Sequence, residues 1–197
     1  TLSLHDALPI VYPSSQYQID FIWTFGVERS IIRKTLYGLS CGVYGDTGVM
    51  RMIITFCGHS KIYQTCEISK WLDIILPSLI EGGAATFYLG GYGDFDSLAA
   101  AAVRRQKAAY PNIEAVLVLA YLNRDVDTSR YDSTTYPPLE KVPPRYAIVR
   151  RNEWMVRESD VVISGVTHGW GRAAKTLDYA RHRQKVIFQF PNQTKKE

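Results

Sequence analysis

Two glycine-rich loops and one short polar turn hold most of the residues in this chain that could do chemistry. The first loop is Gly90-Gly91-Tyr92-Gly93-Asp94-Phe95-Asp96, and the second is Thr167-His168-Gly169-Trp170-Gly171-Arg172. The turn is Gly58-His59-Ser60. Glycine takes positive φ and lets a backbone come close to another group. Between a strand and a helix, such a loop can aim N–H groups and a helix N-terminus at one spot, which suits an anion or a nucleotide. The bland alternative is that Gly90, Gly91 and Gly93 only make a tight turn. Their spacing is not Gly-x-Gly-x-x-Gly, because Asp96 stands at the third position, so the dinucleotide fingerprint is not met.

The titratable residues of these loops carry the catalytic candidates. His59, with an ordinary pKa of about 6.5, could serve as acid, base or hydrogen-bond donor. Asp94 and Asp96 could do acid–base work or simply cap the following helix. Together they would repel a phosphate unless a metal or a ribose hydroxyl intervened. Arg172 opens a helix, where the macrodipole disfavours a cation, so an anion is expected beside it. That anion is either a ligand group or a carboxylate such as Asp94 or Asp96. The candidate ligand-binding set is therefore Gly58, His59, Ser60, Gly90, Gly91, Gly93, Asp94, Asp96, Thr167, His168, Gly169, Gly171 and Arg172.

The surrounding pattern supplies elements that would position these loops. Ile53 to Cys57, Ala85 to Leu89, Ala115 to Leu119, Val161 to Ser164 and Val186 to Phe190 read as short apolar strands. Between them lie helical patterns. Gln64 to Glu81 carries Ile68, Trp71, Leu72, Ile75 and Leu79 at helical spacing. Pro77 should kink its last turn, and Gly82-Gly83 should end it. A second helix follows Asp94 or Asp96 and buries Ala99, Ala102, Val103 and Ala109. Further helices are expected over about Ile148 to Ser159 and Ala173 to Arg183. On the former, Ile148, Met155, Val156 and Ser159 share a stripe with Asn152, a polar residue that must find partners there. Ala120 to Arg145 reads as a long irregular stretch. Alternating helices and all-apolar strands imply an α/β fold: a parallel sheet with helices on both faces, three layers in all. In such sheets ligands sit beyond the carboxyl ends of the strands. The loops just named emerge there, as does a fourth, Tyr121-Leu122-Asn123-Arg124-Asp125.

Residues 1–51 read differently. Thr1 to Ile10 resembles a translated sequencing-adapter read, and the stretch after it has no clean period beyond a weak helical segment from Val27 to Leu39. The expectation is an irregular extension over 1–51, upstream sequence read in frame, and a ligand-binding domain over 52–197 that starts at Met52. A genuine N-terminal arm is the competing reading.

Bulk properties narrow the function classes. A 197-residue chain with 46% hydrophobic and 21% charged residues is ordinary for a globular domain. No apolar run approaches the ~18 residues that span a bilayer, so no membrane partner is expected. The net charge of +4 is mild and the basic residues do not cluster, which argues against a nucleic-acid partner. Three cysteines without Cys-x-x-Cys spacing argue against zinc and against a disulfide framework. Reduced thiols fit a cytoplasmic protein. The cofactor is left unknown and self-association open.

Taken in order, Thr55-Phe56-Cys57-Gly58-His59, the Gly90 to Asp96 loop, Arg151-Asn152-Glu153-Trp154-Met155-Val156 and Ser159-Asp160-Val161-Val162-Ile163 resemble the SLOG superfamily over about Met52 to Phe190. These are Rossmann-like domains related to the DNA-processing protein DprA and to the Lonely Guy cytokinin-activating enzymes. The nearest likeness is to an uncharacterised bacterial and phage branch. The resemblance implies a three-layer Rossmann-like sheet and a nucleotide-like small molecule held at the strand ends, by a sensor or binding module. The runner-up is a hydrolase of N-glycosidic bonds, with Asp94, Asp96 or His59 as the acting group. The Lonely Guy enzymes carry a Pro-Gly-Gly-x-Gly-Thr-x-x-Glu loop with a catalytic glutamate. Here Thr167 to Lys175 keeps glycines at 169 and 171, and no glutamate follows. A nucleic-acid-binding accessory role is the third reading.

Overall fold

The computed structural model describes residues 18–20, 51–123 and 126–191. In chain order the strands are β1 (Gln18–Asp20), β2 (Met52–Gly58), β3 (Ala84–Leu89), β4 (Glu114–Val118), β5 (Ser133–Thr135), β6 (Val161–Gly165) and β7 (Val186–Gln189). The α-helices are α1 (Thr65–Glu81), α2 (Asp94–Gln106), α3 (Ala147–Glu158) and α4 (Gly171–His182), and a 3-10 turn, Pro144–Tyr146, leads into α3. All strands pair in parallel, in the order β1-β7-β6-β2-β3-β4-β5. The chain steps outward from β2 to β5, then crosses back to place β6 on the other side of β2. The fold is the expected three-layer, Rossmann-like α/β sheet.

Strand periodicity sorts the side chains into two cores. Met52, Ile54 and Phe56 of β2, Val161 and Ile163 of β6, and Phe188 of β7 pack with α1 and α2. Cys57, Val162, Ile187 and Val166 turn to the other face and meet Val156 of α3 and Ala174, Leu177 and Ala180 of α4. Because both faces are covered, the strands are apolar throughout. Ser159 and Asp160 fix the α3–β6 turn: Ser159 Oγ donates to the Val156 carbonyl, and Asp160 accepts the Ile53 N–H at 2.8 Å.

Several expectations change. The stretch 120–145 is not wholly irregular, because Ser133–Thr135 adds a strand beside β4. Asp132 secures it by accepting the Ala115 N–H at 2.8 Å and pairing with Lys107. A polar strand of three residues carries no apolar signal, which is why the pattern misses it. Gln18–Asp20 pairs with β7 in a segment that shows no clean period. The Val27 to Leu39 helical segment lies outside the described residues. Helix α1, by contrast, keeps its expected extent, running through Pro77 to Glu81 with Gly82 at its C-cap. Helix α2 ends at Gln106, which leaves Ala109 exposed rather than buried. Neither Asp94 nor Asp96 caps α2; Gly93 holds the cap position without any side-chain hydrogen bond.

At the point where strand order reverses, Gly58 of β2 and Gly165 of β6 are register partners. The ring of Phe95, only 1% exposed, lies across both. A Cβ at Gly58 would come within 2.2 Å of that ring, and one at Gly165 within 2.1 Å. These two glycines let the first turn of α2 sit directly on the strand ends. Gly165→Ala should therefore destabilise the fold by about 1–3 kcal/mol through overpacking. Adding Phe95→Leu should restore part of the loss, and urea-denaturation midpoints of the single and double variants check this coupling.

Candidate functional site

A cavity of about 580 Å³ opens at the carboxyl ends of β2, β3 and β6, between their loops and helices α3 and α4. This is the switch point of the sheet, where α/β folds bind ligands. The volume suits a small organic ligand. Of the residues expected in a site, Gly58, His59, Ser60, Gly90, Gly93, Asp96, His168, Gly171 and Arg172 line it. Thr167 and Gly169 do not; with His168 they line a neighbouring hollow of about 180 Å³. Tyr121 to Asn123 line a third one of about 260 Å³. Arg124 and Asp125 of that loop lie outside the described residues.

The Gly90 to Asp96 loop turns out to be held largely by its own contacts. Gly91 does not line the cavity; its φ is +74°, and a Cβ there would lie 2.7 Å from Leu117. Gly93, at φ +98°, sits against the backbone of Ser60. Two N–H groups that could have faced an anion are already engaged: Tyr92 donates to Asp96 Oδ2 at 2.9 Å, and Asp94 donates to the Ser60 carbonyl at 3.0 Å. The Asp94 carboxylate in turn accepts the Ile62 N–H at 3.0 Å, outside the cavity. Asp94 thus ties the turn after β2 to the loop after β3.

Arg151 is the residue that loop-by-loop reading overlooked. It is 2% exposed, lies in the middle of α3 and reaches the floor of the cavity. Its Nη1 donates to the carbonyls of Gly90 and, at 2.9 Å, Val118. Its Nε has no hydrogen-bond partner among the described residues. The Tyr92 ring centroid lies 5.4 Å from the guanidinium carbon, a cation–π approach. Gly90 leaves room for this: a Cβ there would fall 2.7 Å from Asp96 Oδ2 and 2.9 Å from Arg151 Nη1. A signal existed in the sequence, since Ala147, Arg151 and Met155 recur every four residues and all are buried. An arginine on such a stripe is ordinarily taken for solvated surface.

Burial pushes the Asp96 carboxyl above its ordinary range, and the Arg151 charge and the Tyr92 N–H act against that. Burial also lowers the Arg151 guanidinium, against the pull of Asp96 and the nearby tyrosines, though an arginine stays charged. Among the described residues, Asp96 is the only carboxylate lining the cavity. On the opposite wall, α4 begins at Gly171 with φ +92°, has no side-chain cap, and has no acidic residue in its first turn. Arg172 lies in that turn with no carboxylate within 4 Å among the described residues, so the alternative, an internal pair with Asp94 or Asp96, is not formed. Asn152 donates to Thr176 Oγ1 at 3.3 Å, and Thr176 donates to the Arg172 carbonyl at 3.0 Å. That chain fixes α4 against α3 and gives Asn152, which also lines the cavity, the partner that its place on the stripe requires.

His59 and His168 stack with centroids 3.5 Å apart and planes 18° from parallel. His168 stacks in turn on Trp170, at 3.9 Å and 21°. The His168 N–H donates to His59 Nε2 at 3.4 Å. Burial and the neighbouring His168 lower the pKa of His59. Among the described residues no group of three or more His, Cys, Asp and Glu side chains is placed to hold a metal ion. None of the described helices is long and apolar enough to cross a membrane.

Neither protein-family models nor curated proteins match this sequence. Solved structures do share its fold. DNA-processing protein A from Helicobacter pylori, a single-stranded DNA binder, superposes with a TM-score of 0.52 at 17% identity, over 74% of this chain and 68% of its own. DprA from Streptococcus pneumoniae gives 0.52 at 13% identity over 75% of this chain, which spans about half (52%) of that protein. The molybdenum cofactor carrier protein of Chlamydomonas reinhardtii gives 0.49 at 16% identity, over 73% of this chain and 78% of its own. The chain has a DprA-like Rossmann fold.

Two outcomes follow for the site. Arg151→Met should cost about 3 kcal/mol or more in urea denaturation, because it strands two carbonyls and leaves Asp96 without its counter-charge. His59 should make stability fall with acid. Its folded pKa lies below its unfolded one, so as pH drops through about 6.5 the unfolded chain takes up a proton that the folded chain does not. The loss continues until the folded pKa is reached. Comparing melting temperatures at pH 7.5 and 5.5, wild type should lose more than His59→Gln; equal slopes would show that His59 makes no such contribution.

Proposed function

We propose that this chain binds a nucleotide or nucleotide-derived small molecule in the cavity at the ends of β2, β3 and β6, as a binding or sensing module. The observation that carries the reading is the α4 wall. An uncapped helix N-terminus without acidic residues, together with Arg172, faces a cavity that holds a single carboxylate. First-turn N–H groups and the macrodipole favour an anion there, and a phosphate satisfies both with the guanidinium. The motif order and the DprA-like fold support placement in the SLOG superfamily, its bacterial and phage branch rests on the motif order alone, and a cytoplasmic setting goes with the free thiols of Cys57 and Cys66.

Hydrolysis of an N-glycosidic bond finds less support, because no glutamate follows the glycines of the loop after β6 and, among the described residues, Asp96 alone brings a carboxylate to the cavity. Asp94 is turned to the Ile62 N–H, and Asp96 stands alone beside Arg151.

A thermal-shift panel of NAD, ADP-ribose, cyclic nucleotides and nucleoside monophosphates tests the reading. At least one should raise the melting temperature without turnover, since a ligand well above its Kd stabilises the state it binds. Arg172→Ala should leave the unliganded protein as stable as wild type and weaken that ligand at least tenfold, or ~1.4 kcal/mol. Release of free base would move the assignment to the hydrolase. Salt-dependent retention of single-stranded DNA, with no response to small nucleotides, would move it to the nucleic-acid reading.

A further inference from the structure

One ring at the mouth of the cavity is placed in a way that anion binding does not explain. Trp170 is 73% exposed, although it lines the cavity and directly precedes α4. One face of its indole is covered by His168, which is itself covered by His59. The column starts at a buried imidazole whose Nε2 accepts the His168 N–H. It runs outward through rings kept within about 20° of parallel, with centroid spacings of 3.5 and 3.9 Å. Its outer end is an indole in solvent. The backbone next to it is open as well: a Cβ at Gly169 or at Gly171 would meet nothing within 4 Å.

We infer that Trp170 is a stacking platform for a nucleobase, so that the ligand class is a mononucleotide and the base adds a fourth ring to the column. This rests on the nucleotide reading of the cavity and narrows it. Indole offers a large π-face that any base can use, and purines cover the most of it. The platform is already ordered, because His59 and His168 hold the inner face of the indole, so little freedom is lost when a base arrives. Trp170 and Arg172 are two residues apart, which limits their Cα separation to about 7 Å. An anion at the α4 N-terminus and a ring on Trp170 are thus within reach of one molecule with a short linker, as a ribose joins base and phosphate.

The test compares AMP, GMP and ribose 5-phosphate, three probes that share the phosphate and differ in the base. Isothermal titration should show either purine nucleotide binding wild type at least tenfold more tightly than ribose 5-phosphate. Indole emission should be quenched by the nucleotides alone. In Trp170→Leu that preference should fall towards one while ribose 5-phosphate binds as before. Trp170→Phe should keep most of the preference. The melting temperature of each unliganded variant should match wild type, since the ring is exposed. Equal binding of all three probes by wild type, or an undiminished preference in Trp170→Leu, overturns the platform and leaves the anion site standing. Failure of all three to bind overturns the anion site itself, and the platform with it.

Discussion

The buried guanidinium of Arg151 is the constraint on which the rest of the site depends. A charge in that position calls for fixed dipoles, and the carbonyls at the ends of β3 and β4 take its Nη1 protons, while Nε keeps no hydrogen-bond partner among the described residues. Helix α3 is thereby bolted to the end of the sheet where the cavity lies. Gly90 lacks a side chain because a Cβ would collide with Arg151 and Asp96. Asp96 turns back to accept the Tyr92 N–H, and the loop after β3 closes upon itself. The glycines of that loop thus serve an internal arrangement as much as any ligand.

Once the first loop is closed, the open donors lie elsewhere. The wall made by α4 keeps its first turn uncapped and adds Arg172, while the floor adds Arg151. Against these stands the single carboxylate Asp96, itself raised by burial. That balance is what the proposed anion would require. The aromatic column of His59, His168 and Trp170 borders the same wall, so a charged and a stacking surface meet at one helix end. Phe95 makes this proximity possible. By lying across Gly58 and Gly165 it draws the loops after β2 and β6 together at the switch point.

Much of this was legible along the chain, and the reasons are local. Apolar runs such as Val161 to Ser164 are buried on both faces, so their composition alone reports a covered parallel strand. Helical spacing in Ile68, Trp71, Leu72, Ile75 and Leu79 reports one buried face, and all five are buried. The place of the cavity followed from connectivity, since loops after parallel strands must emerge at one edge. Asn152 was legible as a residue in need of partners because it shares a stripe with apolar neighbours.

What the chain could not report are relations between residues far apart in it. Ser133–Thr135 becomes a strand only because β4 offers it an edge. Asp94 and Asp96 look alike from sequence, both near a helix start. One is turned outward to the Ile62 N–H and the other inward to the Arg151 charge, and only packing separates them. Gly91 looked like a ligand contact, yet its neighbour is Leu117, brought there by the pairing of β3 with β4. His59 and His168 are 109 residues apart, and their stacking exists only because β2 and β6 are adjacent. Local pattern sets which segments are strands and helices, since burial periodicity is written into neighbouring residues. Which loop is closed and which stays open to a ligand is decided by contacts across the sheet, where desolvation and excluded volume act between residues that the sequence keeps apart.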